Sequence, residues 1–255
     1  MPAAGRNVDV LVKVDVGLHR CGIDPAASDA VGFVTTVAGM KGLRFRGLLS
    51  HAGHAYGAMS DEEAAEIARA EARMLNSLAA GVRSAGVPVE EISVGATPTV
   101  RFSVREEGLT EVRPGNYIYY DRTQVALGAA AWSDCALTVL ARVVTAHGTD
   151  RLIFDSGSKT LTNDLARGAT NPTGYGAVLR ALDSDEPDDT LSIERLSEEH
   201  AAVRASRPSQ LRPGDLVRIV PNHSCVVSNL VDQVWIVEGN DVVGRMDVAA
   251  RGRIT

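Results

Sequence analysis

The first half of the chain alternates strand patterns with helix patterns, and this alternation restricts the fold more than any other feature. A valine-rich run predicts a strand at residues 8–16, and further strands are predicted at residues 43–50, 89–94 and 116–120. Helices are predicted between them at residues 25–38, 60–83 and 100–106. Strands that alternate with helices form parallel sheets whose faces the helices cover. We therefore predict an α/β domain in residues 1–127.

Each predicted strand is associated with a polar or glycine-bearing segment. The four segments read GLHRCG, HAGHAYG, GATPT and PGNYIYYD. In a closed α/β barrel, the loops at the carboxyl ends of the strands build the active site. One such segment is more simply read as a turn, but four in succession that carry His, Arg, Tyr and Thr favour a site.

The second half of the chain has a different sequence pattern. Strand-like runs separated by Gly, Pro and Asn turns occupy residues 135–146, 151–154, 216–220, 233–237 and 242–246. The segment 181–190 is acidic and contains a proline, which is typical of a solvated loop. We predict a mostly β second domain in residues 128–255.

Composition excludes several classes of protein. Apolar residues make up 45% of the chain and the net charge is -6, so neither disorder nor a broad nucleic-acid surface is expected. No apolar run reaches the ~18 residues of a membrane helix, and the first ten residues lack the pattern of a signal segment. The three cysteines are far apart in the sequence, which favours a reducing compartment. We expect a cytoplasmic protein.

Motif searches leave one candidate for metal chemistry. The chain has no G-x-S-x-G elbow, Walker A loop, G-x-G-x-x-G, C-x-x-C or H-E-x-x-H motif. His223 and Cys225 are two residues apart, and on an extended segment their side chains would point to the same side. Imidazole and thiolate together suit zinc, and two protein ligands leave open, catalytic positions. The alternative is a buried, hydrogen-bonded histidine beside an inert cysteine.

Seven motifs in this order resemble those of a known family. They are VLVKVDVGLHRCG, GLLSHAGHAYG, SVGATPT, EVRPGNYIYYD, FDSGSKTLTND, SEEH and PNHSC. The chain resembles the D-serine dehydratases and D-threonine aldolases over residues 8–251. These are pyridoxal-phosphate enzymes of the alanine-racemase-like fold. The resemblance implies part of a (β/α)8 barrel that holds the cofactor, followed by a β-rich domain that brings a metal to the substrate.

The resemblance also implies which residues form the site. It places pyridoxal 5'-phosphate at Arg20, Tyr56, Gly95, Thr97, Thr99, Gly115, Asn116 and Tyr117. In this assignment Arg20 lies near the cofactor ring oxygen and Tyr56 near the ring nitrogen, while the glycines, threonines, Asn116 and Tyr117 surround the phosphate. His223 and Cys225 match the zinc pair of the dehydratases. The aldolases have an aspartate in place of Cys225, so the resemblance favours a dehydratase.

The implied reaction is the loss of water from a D-β-hydroxy amino acid, which yields a keto acid and ammonia. Zinc would act on the β-hydroxyl as a Lewis acid, and pyridoxal phosphate as an electron sink. Two alternatives stay open at this point. One is a retro-aldol lyase of the D-threonine aldolase type, and the other is a non-catalytic remnant or binding module that keeps phosphate and metal sites.

One feature of the family has no counterpart in the sequence. The family's Schiff-base lysine lies on the first barrel strands, and none of the three lysines, Lys13, Lys41 and Lys159, matches it. Only four strand–helix units are predicted where a closed barrel has eight. We therefore assign no catalytic residue and predict the carboxyl-terminal half of a barrel, inactive alone. Its expected partners are a second copy in a homodimer, or a missing amino-terminal half, and a small D-amino acid substrate.

Overall fold

The computed structural model describes residues 7–253 of the chain, which divide into one unit that ends at Gly115 and a second that begins at Asn116. The first six residues, part of the segment for which we predict no signal sequence, lie outside the described residues. Within residues 7–253, no helix is both long and apolar enough to cross a membrane.

The first unit is a parallel sheet with helices between its strands. The strands are β1 (Val8–Lys13), β2 (Leu43–Leu49), β3 (Glu91–Val94) and β4 (Glu111–Val112). They pair in the order β1-β2-β3-β4, and every pair is parallel. The helices are α1 (Ala30–Ala38), α2 (Asp61–Ser84) and α3 (Val100–Ser103). The predicted α/β architecture is confirmed.

Helix α2 is the main cover of this sheet. Ser60 caps it, because its hydroxyl accepts a hydrogen bond from the Glu63 amide at 3.2 Å. Its buried face carries Ala64, Ala68, Leu75, Leu78 and Val82 at helical spacing. Leu75 packs in the same core as Leu48 and Ile92 of the strands. Each such large apolar side chain contributes about 1.5 to 3 kcal/mol through its burial.

Two of the predicted elements of this unit differ most from the observed bounds. The fourth strand is Glu111–Val112 and not residues 116–120, because Pro114 has no amide hydrogen to continue the ladder. Residues 116–118 form a 3-10 turn instead. The first helix begins at Ala30 and not at residue 25, since the Asp24 carboxylate accepts from the Ala26 amide at 2.9 Å and stabilises a turn.

The second unit is a β structure with one large sheet and a hairpin. The sheet contains β5 (Val139–His147), β6 (Arg151–Phe154), β7 (Ala177–Leu179), β8 (Leu191–Leu196), β9 (Ala201–Ala205) and β10 (Leu216–Val220). Its order is β7-β10-β5-β6-β9-β8, with antiparallel pairs. The hairpin joins β11 (Gln233–Glu238) to β12 (Asp241–Asp247).

Three short helices accompany these strands and position the polar loops of the unit. They are α4 (Arg122–Ala126), α5 (Ser158–Leu161) and α6 (Ser224–Ser228). The core contains Phe154, Ile193, Val217 and Ile219, all nearly inaccessible to solvent. The prediction of a β-rich second part is confirmed. Strands β7, β8 and β9 are absent from the prediction: β7 has only three residues, and charged or alanine residues interrupt the apolar pattern of β8 and β9.

Candidate active site

The carboxyl ends of the four parallel strands lie on one edge of the first sheet. Arg20 follows β1, Tyr56 follows β2 in a 3-10 turn at Gly53–Gly57, and Gly115 follows β4. The segment 95–99 follows β3. The structure thus places all six of the predicted cofactor residues of this unit in strand-end loops, as the barrel rule expects. Their contact with a cofactor remains a prediction.

A cluster of basic groups marks this edge. Burial and the nearby Arg113 guanidinium lower the pKa of Lys13, the last residue of β1. Burial and the nearby Arg20 guanidinium lower the pKa of His51, the second residue after β2. Arg20 and Arg113 each lower the pKa of both Lys13 and His51, so the four groups lie near one another. Lys13, Arg20 and Arg113 concentrate positive charge beside glycine-bearing loops, which suits a phosphorylated ligand.

Arg113 ties three strand ends together. Its Nε donates to the Ser93 hydroxyl at 2.7 Å, and its Nη2 donates to the Ser50 carbonyl oxygen. A Cβ atom at Gly95 would lie 3.1 Å from Nη1 of Arg113, so a larger residue there would displace the guanidinium. The glycine at position 95 therefore permits the close approach of this charge to the loop.

A buried carboxylate lies behind the same loops. Glu71 of α2 is only 1% exposed, and its Oε1 accepts from the Ser50 hydroxyl at 2.6 Å. Burial raises the pKa of Glu71 to about 7, against the opposing effects of Ser50, Arg113 and Lys13. Glu71 and Arg113 thus hold the end of β2 from two sides.

The loops after β2 and β3 are joined directly. The Ala52 amide donates to the Gly95 carbonyl oxygen at 3.2 Å, and His51 hydrogen-bonds to the Gly95 backbone. Thr97 and Thr99 lie in a buried 3-10 turn, where the Thr99 hydroxyl donates to the Ala96 carbonyl oxygen at 3.2 Å. These contacts give the segment 95–99 one defined conformation.

Asn116 and Tyr117 belong to the second unit. Asn116 is buried, and its side-chain amide donates to the Asp121 carboxylate at 2.5 Å. Tyr117 is exposed. The prediction that these two residues contribute to a phosphate site stays a prediction.

The candidate metal pair lies at the start of α6. The extended segment predicted for His223 and Cys225 is wrong, since His223 is extended but Ser224 begins the helix. Ser224 is buried, and its backbone amide donates a hydrogen bond to Asp121 Oδ2 at 3.0 Å. The two ligand candidates are still in contact through a side-chain hydrogen bond. This bond and a second one to Asp164 raise the pKa of His223 to about 9.

The donor atoms of this pair fit a zinc ion with two protein ligands. Imidazole nitrogen and thiolate sulfur are the ligands that zinc prefers, and Cys225 is exposed. In the part of the chain that the structure describes, no three His, Cys, Asp or Glu side chains converge as a metal site. A bound ion would therefore keep open positions for substrate and water, the arrangement of a catalytic site.

The three lysines have different surroundings. Lys41 is exposed in the turn before β2. Lys159 is exposed and forms ion pairs with Glu198 at 2.9 Å and Glu199 at 2.8 Å. Lys13 is partly buried at the basic edge, and it is the one lysine with a lowered pKa in residues 7–253.

Five residues that shape either the strand-end loops of the first unit or the His223–Cys225 pair of the second were not among the predicted site residues: His51, Glu71, Arg113, Asp121 and Asp164. Four of these stand inside the motifs that carry the family resemblance. Glu71 has a different signal. It occupies the apolar face of α2 between Ala68 and Leu75, and a carboxylate on a buried face indicates a specific polar contact.

Comparison with known families agrees with this geometry. Residues 2–123 match the family model described as alanine racemase, N-terminal domain. Residues 136–237 match the model described as putative serine dehydratase domain. The chain is 28% identical over 251 residues to a D-serine dehydratase of Dictyostelium discoideum, with 92% of this chain and 62% of that protein covered. The chain belongs to the D-serine dehydratase and D-threonine aldolase family.

Other members of this family are similar over nearly the whole chain. A D-threonine aldolase of Arthrobacter sp is 30% identical over 258 residues, covering 99% of this chain and 63% of the aldolase. The solved structure of D-threo-3-hydroxyaspartate dehydratase from Delftia sp. HT23 has a TM-score of 0.84 at 26% identity, covering 94% of this chain and 65% of that one. The fold is alanine-racemase-like. The chain spans about three fifths of the length of these curated relatives.

Proposed function

We propose that this chain carries the carboxyl-terminal part of a pyridoxal-phosphate-dependent lyase of the dehydratase type, which removes water from a D-β-hydroxy amino acid with the help of zinc. The observation that carries the proposal is the basic cluster of Lys13, Arg20, His51 and Arg113 at the carboxyl ends of four parallel strands. The names of the similar proteins, two dehydratases and an aldolase, supply the reaction class.

The residues of the first unit fit a phosphorylated cofactor. Gly95 leaves room for the Arg113 guanidinium, and Arg20 adds a second permanent charge near Lys13 and His51. Held here by Arg20, Tyr56 and the segment 95–99, pyridoxal phosphate would supply an electron sink for the substrate Cα. The work of the chain itself is to orient that group and balance its negative charge.

The residues of the second unit fit the metal that would assist departure of the hydroxyl. His223 and Cys225 would hold it, and a zinc ion supplies Lewis acidity there. Cys225 supports the dehydratase over the aldolase alternative, since the family resemblance associates an aspartate at this position with aldolases. We assign the His223 side chain the role of a ligand through the ring nitrogen that does not face Asp164.

A cobalt-substituted chain can test the substrate class without turnover. Co2+ in place of Zn2+ has a visible spectrum that responds to a change of ligand. We expect D-serine to shift this spectrum and D-alanine to leave it unchanged, because the two differ in the β-hydroxyl. L-Serine serves as the stereochemical control. A shift of equal size with D-alanine would refute recognition of the hydroxyl.

Turnover by the 255-residue chain is a separate expectation. With pyridoxal phosphate and D-serine, we expect no pyruvate and no borohydride-stable pyridoxyl label on Lys13, Lys41 or Lys159. A second polypeptide that supplies the preceding strand–helix units with their lysine should restore keto-acid release. Pyruvate release together with a label on one of the three lysines would show that the chain is a complete enzyme.

Zinc content tests the metal pair directly. We expect about one zinc per purified chain, lost in His223→Ala and in Cys225→Ser because a single remaining donor holds zinc weakly. Cys21→Ser is the matched control, since Cys21 is an equally exposed thiol in the other unit. Elemental analysis after dialysis measures the result. Equal zinc content in the native chain and the three variants would show that His223 and Cys225 are not zinc ligands.

Phosphate binding tests the strand-end loops. We predict that inorganic phosphate or pyridoxal phosphate occupies the segments 95–99 and 115–117. Gly95→Ala should weaken binding about tenfold, the loss expected for one charge-assisted hydrogen bond, because the new methyl group displaces Arg113. Gly32→Ala is the control, since a Cβ there meets no neighbouring atom. Isothermal titration measures the affinity for phosphate. Equal affinities in Gly95→Ala and Gly32→Ala would exclude these loops as the phosphate site.

A further inference from the structure

The candidate zinc ligand His223 is held from a distant part of the chain. We infer that Asp164 is a positioning residue for this ligand: its carboxylate accepts a hydrogen bond from the Nδ1–H group and leaves Nε2 as the nitrogen that binds the metal. This inference rests on the proposed role of His223 in zinc binding. Its observation is the 2.7 Å contact between His223 Nδ1 and Asp164 Oδ2.

Hydrogen bonds hold the backbone of Asp164 and that of the residue before His223. The Asp164 amide donates to the Thr162 hydroxyl at 3.1 Å, and its carbonyl oxygen accepts from the Asn222 side chain at 2.9 Å. Asn222 immediately precedes His223, is 1% exposed, and also donates to the Gly174 carbonyl oxygen at 2.8 Å. The two partners of the contact are thus tied together through neighbouring residues.

The conformation of this loop indicates a specific requirement. Thr162 has a φ of 64°, in the left-handed region that a β-branched residue rarely adopts. Such a residue costs about 1 to 3 kcal/mol and persists where the surrounding structure holds it. Here the strained turn directs Asp164 toward the start of α6, and the Thr162 hydroxyl stabilises it through the Asp164 amide.

The geometry favours positioning over direct ligation by Asp164. Its carboxylate contacts Nδ1, while Cys225 hydrogen-bonds to the same ring. Within residues 7–253, no group of three donors that includes this carboxylate converges on a point. Histidine ligands commonly donate their second N–H to a carboxylate, which fixes the tautomer and raises the basicity of the metal-binding nitrogen.

Zinc affinity of the 255-residue chain, measured by competition with a chromogenic chelator, tests this role. Asp164→Ala removes the acceptor and should lower the affinity by roughly a hundredfold, while Asp164→Asn keeps a neutral acceptor and should lower it by roughly tenfold. Asp183→Asn removes the same charge from an exposed position and should change the affinity by less than about twofold. Far-UV circular dichroism checks that each variant folds.

The pattern among the variants separates positioning from a general charge effect. A general effect would make Asp164→Asn and Asp164→Ala equal, and high salt would abolish the loss. That result, or unchanged affinity in both variants, overturns the role of Asp164 while His223→Ala still loses zinc. If His223→Ala keeps its zinc, the proposed metal site itself fails, and the assignment of Asp164 fails with it. The cobalt–thiolate absorption of the saturated Asp164→Ala protein should persist, since Cys225 still ligates.

Discussion

Replacement of Asp121 by alanine is expected to lower the free energy of unfolding of the second unit by about 3 to 5 kcal/mol. Asp121 is fully buried, and its Oδ2 accepts from the Asn116 side chain at 2.5 Å and from the Ser224 amide at 3.0 Å. Its Oδ1 accepts from the Gln124 amide at 3.0 Å. Without the carboxylate these donors stay buried and unsatisfied, at a cost of about 1 to 3 kcal/mol each.

Both tryptophans, Trp132 and Trp235, belong to the second unit, so urea unfolding followed by tryptophan fluorescence measures this loss. Asp121→Asn is the milder variant. It keeps one accepting oxygen but places an NH2 group toward a donor, and should cost about 1 to 2 kcal/mol. Asp134→Ala is the matched control, because Asp134 is exposed and its carboxylate accepts a local amide, that of Ala131 at 2.8 Å.

The variants that destabilise the second unit most should also bind zinc most weakly. Ser224 lies between His223 and Cys225, so loss of its bond to Asp121 releases the segment that holds both donors. We expect Asp121→Ala to lose zinc and Asp134→Ala to retain it. Equal unfolding free energies for Asp121→Ala and Asp134→Ala would show that the buried carboxylate does not organise this loop.

Replacement of Glu71 by glutamine is expected to remove a strong pH dependence from the stability of the first unit. Burial raises the pKa of Glu71 from the ordinary 4.5 to about 7. Because the folded state then binds more protons than the unfolded state between these values, this stabilisation is complete below the unfolded pKa. It is lost as the pH rises through the folded pKa. The total loss amounts to about 3 kcal/mol.

Urea unfolding followed by far-UV circular dichroism can measure this effect, since α2 is a 24-residue helix in the first unit. The native chain should lose stability by about 1.4 kcal/mol per pH unit between pH 5 and 7 relative to Glu71→Gln. Glu62→Gln, an exposed position on the same helix, should retain the native pH dependence. Parallel curves for the native chain and Glu71→Gln would mean that Glu71 does not titrate in this range.

The strand-end loops were predictable because local patterns produce them. The parallel arrangement follows from the alternation of strands and helices, and parallel strands put their carboxyl ends on one edge. Arg20, Tyr56 and Gly95 therefore share that edge whatever the details of their side chains. The motif order was equally accessible, and the family it indicated is the one that the comparisons show.

The partners of the site residues were beyond any local pattern. Glu71 and Ser50 are 21 residues apart, Ser50 and Arg113 are 63 apart, and Asp164 and His223 are 59 apart. Such pairs depend on how sheets and loops pack, not on spacing along the chain. The sequence also did not predict that Cys225 lies in a helix that begins at Ser224. The contact with Asp121 that holds Ser224 joins residues 103 positions apart.

The sequence by itself determined the parallel sheet, the β-rich second part and the family, because periodicity and motif order are local properties of a chain. Only the tertiary structure decided which charges meet. Burial is a property of the folded molecule, and it is burial that raises the pKa of Glu71, lowers that of Lys13 and makes the hydrogen bonds of Asp121 indispensable.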